Sequence, residues 1–108
     1  AEARVGESSK NIRERVVRAR QVQEKRFQNS SSRNNSGMNR KELETHAELA
    51  DSSRKILQQA MTKMGLSARA YDRILKVART IADLAGEQKI DTPHVAEAIQ
   101  YRNLDRPV

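Results

Sequence analysis

Apolar residues recur at helical spacing in several stretches of the chain, and the longest stretch lies between two glycines. Between Gly65 and Gly86, Ala70, Tyr71, Ile74, Leu75, Val77, Ala78, Ile81, Ala82, Leu84 and Ala85 fill one half of a helical wheel. Arg69, Asp72, Arg73, Lys76, Arg79, Thr80 and Asp83 fill the other half. An apolar arc that wide predicts a helix covered by several neighbours rather than one lying on a surface. Ser67 is its expected N-cap, and Gly86 its end.

The flanking pattern predicts further helices. Ser8 or Ser9 caps a helix running to about Phe27, with Ile12, Val16, Ala19 and Phe27 on a narrow stripe suited to one-sided docking. Asn29 to Asn39 reads as a mobile polar loop of Ser and Asn. Asn39 and Glu42 have the spacing of a capping box that opens a short helix, Arg40 to His46. From about Asp51 to Met64, the residues Ile56, Leu57, Ala60, Met61 and Met64 predict another helix, closed by Gly65. Ile90 reads as a short extended anchor. Thr92-Pro93 reads as the N-cap and first-turn proline of a last helix to about Arg102, with Val95, Ala98, Ile99 and Leu104 facing inward. No strand-like alternation runs beyond a few residues. The expected class is all-α, a small bundle of four to five helices, organised as a basic leading helix and mobile loop (1–38) and a helical bundle (39–108). Residues 1–7 are expected to be frayed.

At 108 residues, the chain holds one domain with a modest core. Aromatics are 3%, so Leu, Ile, Val, Ala and Met must build that core. With no Cys, disulfides and thiolate metal sites are excluded. His46 and His94 lack ligand spacing, so no metal is expected, and both read as surface or capping residues. No apolar run reaches membrane-spanning length and no signal peptide is visible, which points to a cytoplasmic bacterial protein. The first residue is Ala rather than Met, as expected for a piece of a longer polypeptide.

The net charge of +7 is uneven. Residues 1–40 hold ten Lys/Arg against four Asp/Glu, and residues 41–108 hold eleven against ten. The excess on the first helix, including Arg13, Arg15, Arg18 and Arg20, fits nucleic-acid backbone or docking onto an acidic face of the same parent protein. It also fits a solvated helix. No aromatics interleave the cations, so a base-stacking platform is not supported. Catalysis has no visible constellation. None of the four glycines opens a phosphate-cradling loop, so the chain by itself is expected not to hydrolyse ATP. On the central helix, composition reads Arg69, Arg73, Lys76 and Arg79 as a solvated face with Asp72 and Asp83 as partners. The start of a helix also suits anions, so a phosphate is the other reading.

Three motifs bear on that choice. Gly65-Leu66-Ser67-Ala68-Arg69-Ala70-Tyr71-Asp72-Arg73-Ile74-Leu75, continued by Val77-Ala78-Arg79-Thr80-Ile81-Ala82-Asp83-Leu84, resembles the C-terminal helical lid of the magnesium chelatase-related ComM/YifB family. His94 to Arg106 resembles the family's closing motif, and Gly6 to Ser9 with Ile12 to Val16 resembles its leading helix. The resemblance covers nearly the whole chain, most loosely in the Ser/Asn loop and residues 39–64. It implies an AAA+ ATPase parent that assembles as a homo-oligomeric ring, a hexamer by expectation. ATP and Mg2+ would be bound mainly by a core outside this chain that carries Walker A, Walker B and arginine-finger elements. Ser67-Ala68-Arg69 is similar to the sensor 2 motif, which makes Arg69 the implied γ-phosphate contact, in its own or a neighbouring subunit. Arg73 is the second choice; Lys76 and Arg79 return to ordinary surface. Family members of this kind are associated with DNA processing in competence and recombination through branch migration, rather than with metal insertion.

A second resemblance stays open. The long helix, extended link and Thr-Pro-capped helix also look like half of a histone-like fold, a stand-alone DNA-binding or dimerising module without ATP dependence. A protein-interaction adaptor is the third reading, to be recognised by a large exposed apolar patch.

Overall fold

A computed structural model describes residues 8–104, with side chains through Tyr101. Five α-helices and one 3-10 turn are formed among them: α1 Ser9–Arg26, the turn Asn35–Gly37, α2 Arg40–His46, α3 Asp51–Met64, α4 Ala68–Leu84 and α5 Thr92–Leu104. The protein is all-α, as the periodicity predicts. The frayed start expected for residues 1–7 and the inward side chain expected for Leu104 lie outside what is described.

Local chemistry sets the helix boundaries. Ser8 accepts from the Asn11 N–H to start α1, and Ser67 accepts from the Ala70 N–H to start α4. At α2 the capping box is complete, because Asn39 Oδ1 accepts from the Glu42 N–H while Glu42 Oε1 accepts from the Asn39 N–H. Gly65 (φ 62°) and Gly86 (φ 76°) follow α3 and α4 in the left-handed region that only glycine enters cheaply. Both ends close in the same way. Leu66 N–H donates to Met61 C=O and Glu87 N–H to Ala82 C=O, while each glycine N–H bonds one residue further along. The last helix departs from expectation by one residue. It begins at Thr92, and His94 Nδ1 accepts from the Asp91 N–H, taking the part that Glu42 plays at α2. The Thr92 hydroxyl instead pairs at 3.0 Å with Ser53, a fully buried residue of α3.

α4 is the central element and packs against α1, α2, α5 and the 3-10 turn. Leu57, Ile74, Ala78, Ala82, Val95 and Ala98 form the deepest layer, joined by Phe27, Met38, Leu43 and Leu75. Each fully buried Leu, Ile or Val is worth about 1.5–3 kcal/mol in apolar burial. Ile90 is the extended anchor that was expected; it forms an isolated parallel bridge with Leu49, and both are buried. Ile12 and Ile56 do not face the core as their spacing suggests. They are exposed, and α1 docks through Ala19 and Phe27 near its C-terminal end.

The larger departure is in α4. Its six buried residues are Ile74, Leu75, Ala78, Arg79, Ala82 and Asp83. At about 100° per residue, the buried arc is turned by about 80° from the centre of the apolar arc. Arg79 and Asp83, read from composition as surface, are enclosed, while Val77, Ile81 and Leu84 are only half-buried. The cause is a polar cluster. Asp83 accepts from Arg26 Nη1 and Nη2 (2.8 and 2.9 Å) and from Asn35 Nδ2 (2.8 Å), with Arg79 Nη2 at 3.1 Å. Asn35 in turn donates to Thr80 Oγ1 and accepts a second bond from Arg26. Arg79 also donates to the carbonyls of His46, Glu87 and Gln88, which ties α2 and the α4–α5 link to the same point.

The polar segment between α1 and α2 therefore contributes to the core. Asn35 is 1% exposed and Met38 4%. Ser30 and Ser32 hydroxyls donate to the Glu42 carboxylate, extending the α2 capping box back into this segment. Those two bonds and the Asn39 N–H hold the Glu42 carboxyl below its ordinary pKa.

Candidate functional site

The half-buried apolar edge of α4 forms the floor of a cleft with a volume of about 890 Å³. Val77, Ile81, Leu84 and Ala85 line it from below, and Tyr101 and Glu97 of α5 stand on one side. Arg15 of α1 and Ser36 of the 3-10 turn close another side, and Arg69, Asp72, Arg73 and Lys76 form the rim along α4. Arg69 and Arg73 are thus brought to one opening, as their spacing of four residues requires.

Arg69 sits in the first turn of α4, two residues after the Ser67 cap. It is exposed, and its side chain has no ion pair or hydrogen bond among the described residues. Asp72, expected to pair with it, accepts from Arg40 of α2 instead. The rim therefore presents an uncompensated guanidinium beside backbone N–H groups that favour anions.

The other candidates separate in space. Of the four leading-helix arginines, Arg15 is half-buried at the cleft, whereas Arg13, Arg18 and Arg20 are exposed outside it. Arg79 belongs to the buried cluster around Asp83, so the expectation of an ordinary surface residue is corrected. Burial pulls its guanidinium below the ordinary value, and the Asp83 carboxylate opposes that shift. Its Nε–H has no hydrogen-bond partner among the described residues. His46 packs edge-on to Phe27, with ring centroids 5.8 Å apart. Burial lowers its pKa, and the nearby Arg26 lowers it further. No group of His, Asp and Glu suited to a metal ion occurs among the described residues.

Sequence reasoning missed Glu97 and Tyr101 at the cleft, Arg40 beside it, and Arg26 and Asn35 in the buried cluster. Arg79 borders the apolar arc, four residues after Leu75 and three before Ala82, but spacing alone leaves it outside that arc, and only the rotation of α4 brings it in. Nothing local marks Arg40 or Asn35.

Residues 6–102 match the family described as magnesium chelatase, subunit ChlI C-terminal. The chain belongs to this family. Within it, this magnesium chelatase-type C-terminal domain is 48% identical over 101 residues to the competence protein ComM of Haemophilus influenzae. It is 36% identical to the protein YifB of Salmonella typhimurium and 38% identical to YifB of Escherichia coli. Each match covers 94% of the domain and 19% of the relative, so the chain spans about a fifth of the length of these curated relatives. The matched ComM/YifB domain includes α1, the Asn35 segment and α4, and hence both the cleft and the buried cluster.

Proposed function

We propose that this domain is the C-terminal lid of a ring-forming AAA+ ATPase, and that Arg69 senses the γ-phosphate of ATP. The observation that carries the reading is Arg69 itself, exposed and unpaired in the first turn of α4, on a cleft rim shared with Arg73 and Lys76. The ATPase core, with its phosphate-binding loop and Mg2+ site, belongs in this reading to the four-fifths of the relatives that the chain does not span. A guanidinium fixed at a helix start offsets charge on the transferring phosphoryl group and links nucleotide state to lid position. In a ring, the phosphate belongs to the same subunit or its neighbour.

The remodelled substrate in this reading is DNA, and the site of action is the cytoplasm. The name of the Haemophilus relative, a competence protein, and the exposed Arg13, Arg18 and Arg20 support it. The lid reading is preferred over a stand-alone histone-like module because the relatives are about five times as long as the chain. The test is ATP turnover by the full-length polypeptide, with and without branched DNA. Arg69→Ala is expected to lower turnover on the order of a hundredfold while leaving the helical content intact. Unchanged turnover in a folded variant rejects the sensor role.

A further inference from the structure

Asp72 stands three residues after Arg69 and four before Lys76, the two spacings at which a helix pairs opposite charges. Left alone on α4, its carboxylate would neutralise part of the cleft rim. It neutralises neither cation. Asp72 Oδ2 accepts from Nη2 of Arg40, the first residue of α2, and Asp72 lines both the cleft and a shallower depression beside Arg40 on its other flank.

Arg40 has a fixed base from which to hold it. The residue follows the Asn39 cap, and the Asn39–Glu42 capping box is itself pinned by Ser30 and Ser32. The Arg40 and Asp72 side chains are 59% and 27% exposed, so the pair is open to exchange with solvent and contributes little to the fold. Its effect is on the direction of the carboxylate.

We infer that Arg40 is a positioning residue for Arg69: by turning the Asp72 carboxylate towards α2, it leaves Arg69 and Lys76 uncompensated for a polyphosphate. The inference rests on the reading of Arg69 as a phosphate ligand. Exposed charge pairs of this kind correspond to about a two- to fivefold change in affinity.

The experiment titrates the 108-residue chain with tripolyphosphate at low ionic strength and follows the backbone amide resonances of 68–77, together with Arg69 Nε–Hε where it is present, by NMR. Arg40→Ala is expected to weaken binding about two- to fivefold, Arg40→Lys to retain most of it, and Asp72→Asn to strengthen it. Arg40→Ala combined with Asp72→Asn should bind like Asp72→Asn alone, because no carboxylate remains to be held. A purely structural role for Arg40 would not give that rescue. Wild-type affinity in Arg40→Ala overturns the inference, as does an equal loss in the Asp72→Asn background. Arg69→Ala separates the two levels. If it binds tripolyphosphate like wild type, or if these wild-type resonances do not move, the phosphate-ligand reading falls and the positioning role with it.

Discussion

Replacing Asp83 by asparagine removes one charge from the centre of the molecule at nearly constant volume. The Asp83 side chain is 0% exposed, and its carboxylate faces Arg26 and Arg79, whose side chains are 11% and 4% exposed. It accepts two bonds from Arg26 and one from Asn35. An amide cannot reproduce this, since its NH2 would have to face a donor. Two buried guanidinium groups would also be left without a counter-charge. Removing one partner from such a buried pair costs about 3–5 kcal/mol, against a total stability of about 5–15 kcal/mol for a domain. The midpoint of thermal unfolding is expected to fall on the order of 15–30 °C. Urea unfolding followed by far-UV circular dichroism measures the free energy. Asp51→Asn is the control, because Asp51 pairs with Arg54 while its side chain is 89% exposed, and its loss is expected to stay below about 0.5 kcal/mol. If Asp83→Asn lies within about 1 kcal/mol of wild type, with the same dependence on urea, the buried-charge reasoning is refuted.

Lowering the pH should destabilise the protein through His46. Its folded pKa lies below the ordinary 6.5, chiefly through burial, so the unfolded chain takes up the proton first. Stability from this source is present above about pH 6.5 and declines as the pH falls below it; His46→Gln should flatten urea midpoints measured across that window. The Asn35 amide, buried and donating to Gln23 Oε1 at 2.9 Å, should exchange slowly with deuterium, and exchange at the rate of an open chain would contradict its packing. Arg69 at the cleft and Arg40 beside it are tested separately: Arg69→Ala should lower turnover in the full-length polypeptide, whereas Arg40→Ala should act only while Asp72 is present.

The helices were legible because the signals that define them are local. Ser67 and Gly65 delimit α4 and α3 through bonds to neighbours within five residues, and the Asn39–Glu42 box opens α2 through two bonds across three. The cap at Asp91 was misread by one residue because Thr92, a good cap by type, has its hydroxyl committed to Ser53, 39 positions away. The exposure of Ile12 and Ile56 has the same origin. Spacing identifies an apolar position, but the partner that would cover it must come from a distant segment. Asn35, in what composition describes only as a polar loop, is buried because Arg26, Thr80 and Asp83 supply its hydrogen bonds from two other elements. Of the cleft, Arg69 and Arg73 were legible from motif order. Arg40, outside the cleft, was not, since its pairing with Asp72 depends on where α2 lies against α4.

The rotation of α4 joins the buried cluster to the cleft. Its apolar residues taken alone would centre the buried face near Ala85 and Ile74 on the wheel, turning Val77, Ile81 and Leu84 inward. Arg26, Asn35 and the three carbonyls on Arg79 hold the helix about 80° from that position, which uncovers those residues as the cleft floor. The same turn fixes the azimuth of Arg69, because a helix rotates as a unit. The cluster lies 10–14 residues along the axis from Arg69, roughly 15–21 Å at 1.5 Å per residue. The direction of the cleft-rim arginine is therefore set mainly from the opposite end of its own helix. This explains why a domain with so small a core encloses two arginines and an aspartate. An apolar cluster of equal volume would stabilise the fold at least as well, but without directional bonds it would not select this rotation over the one favoured by the apolar arc.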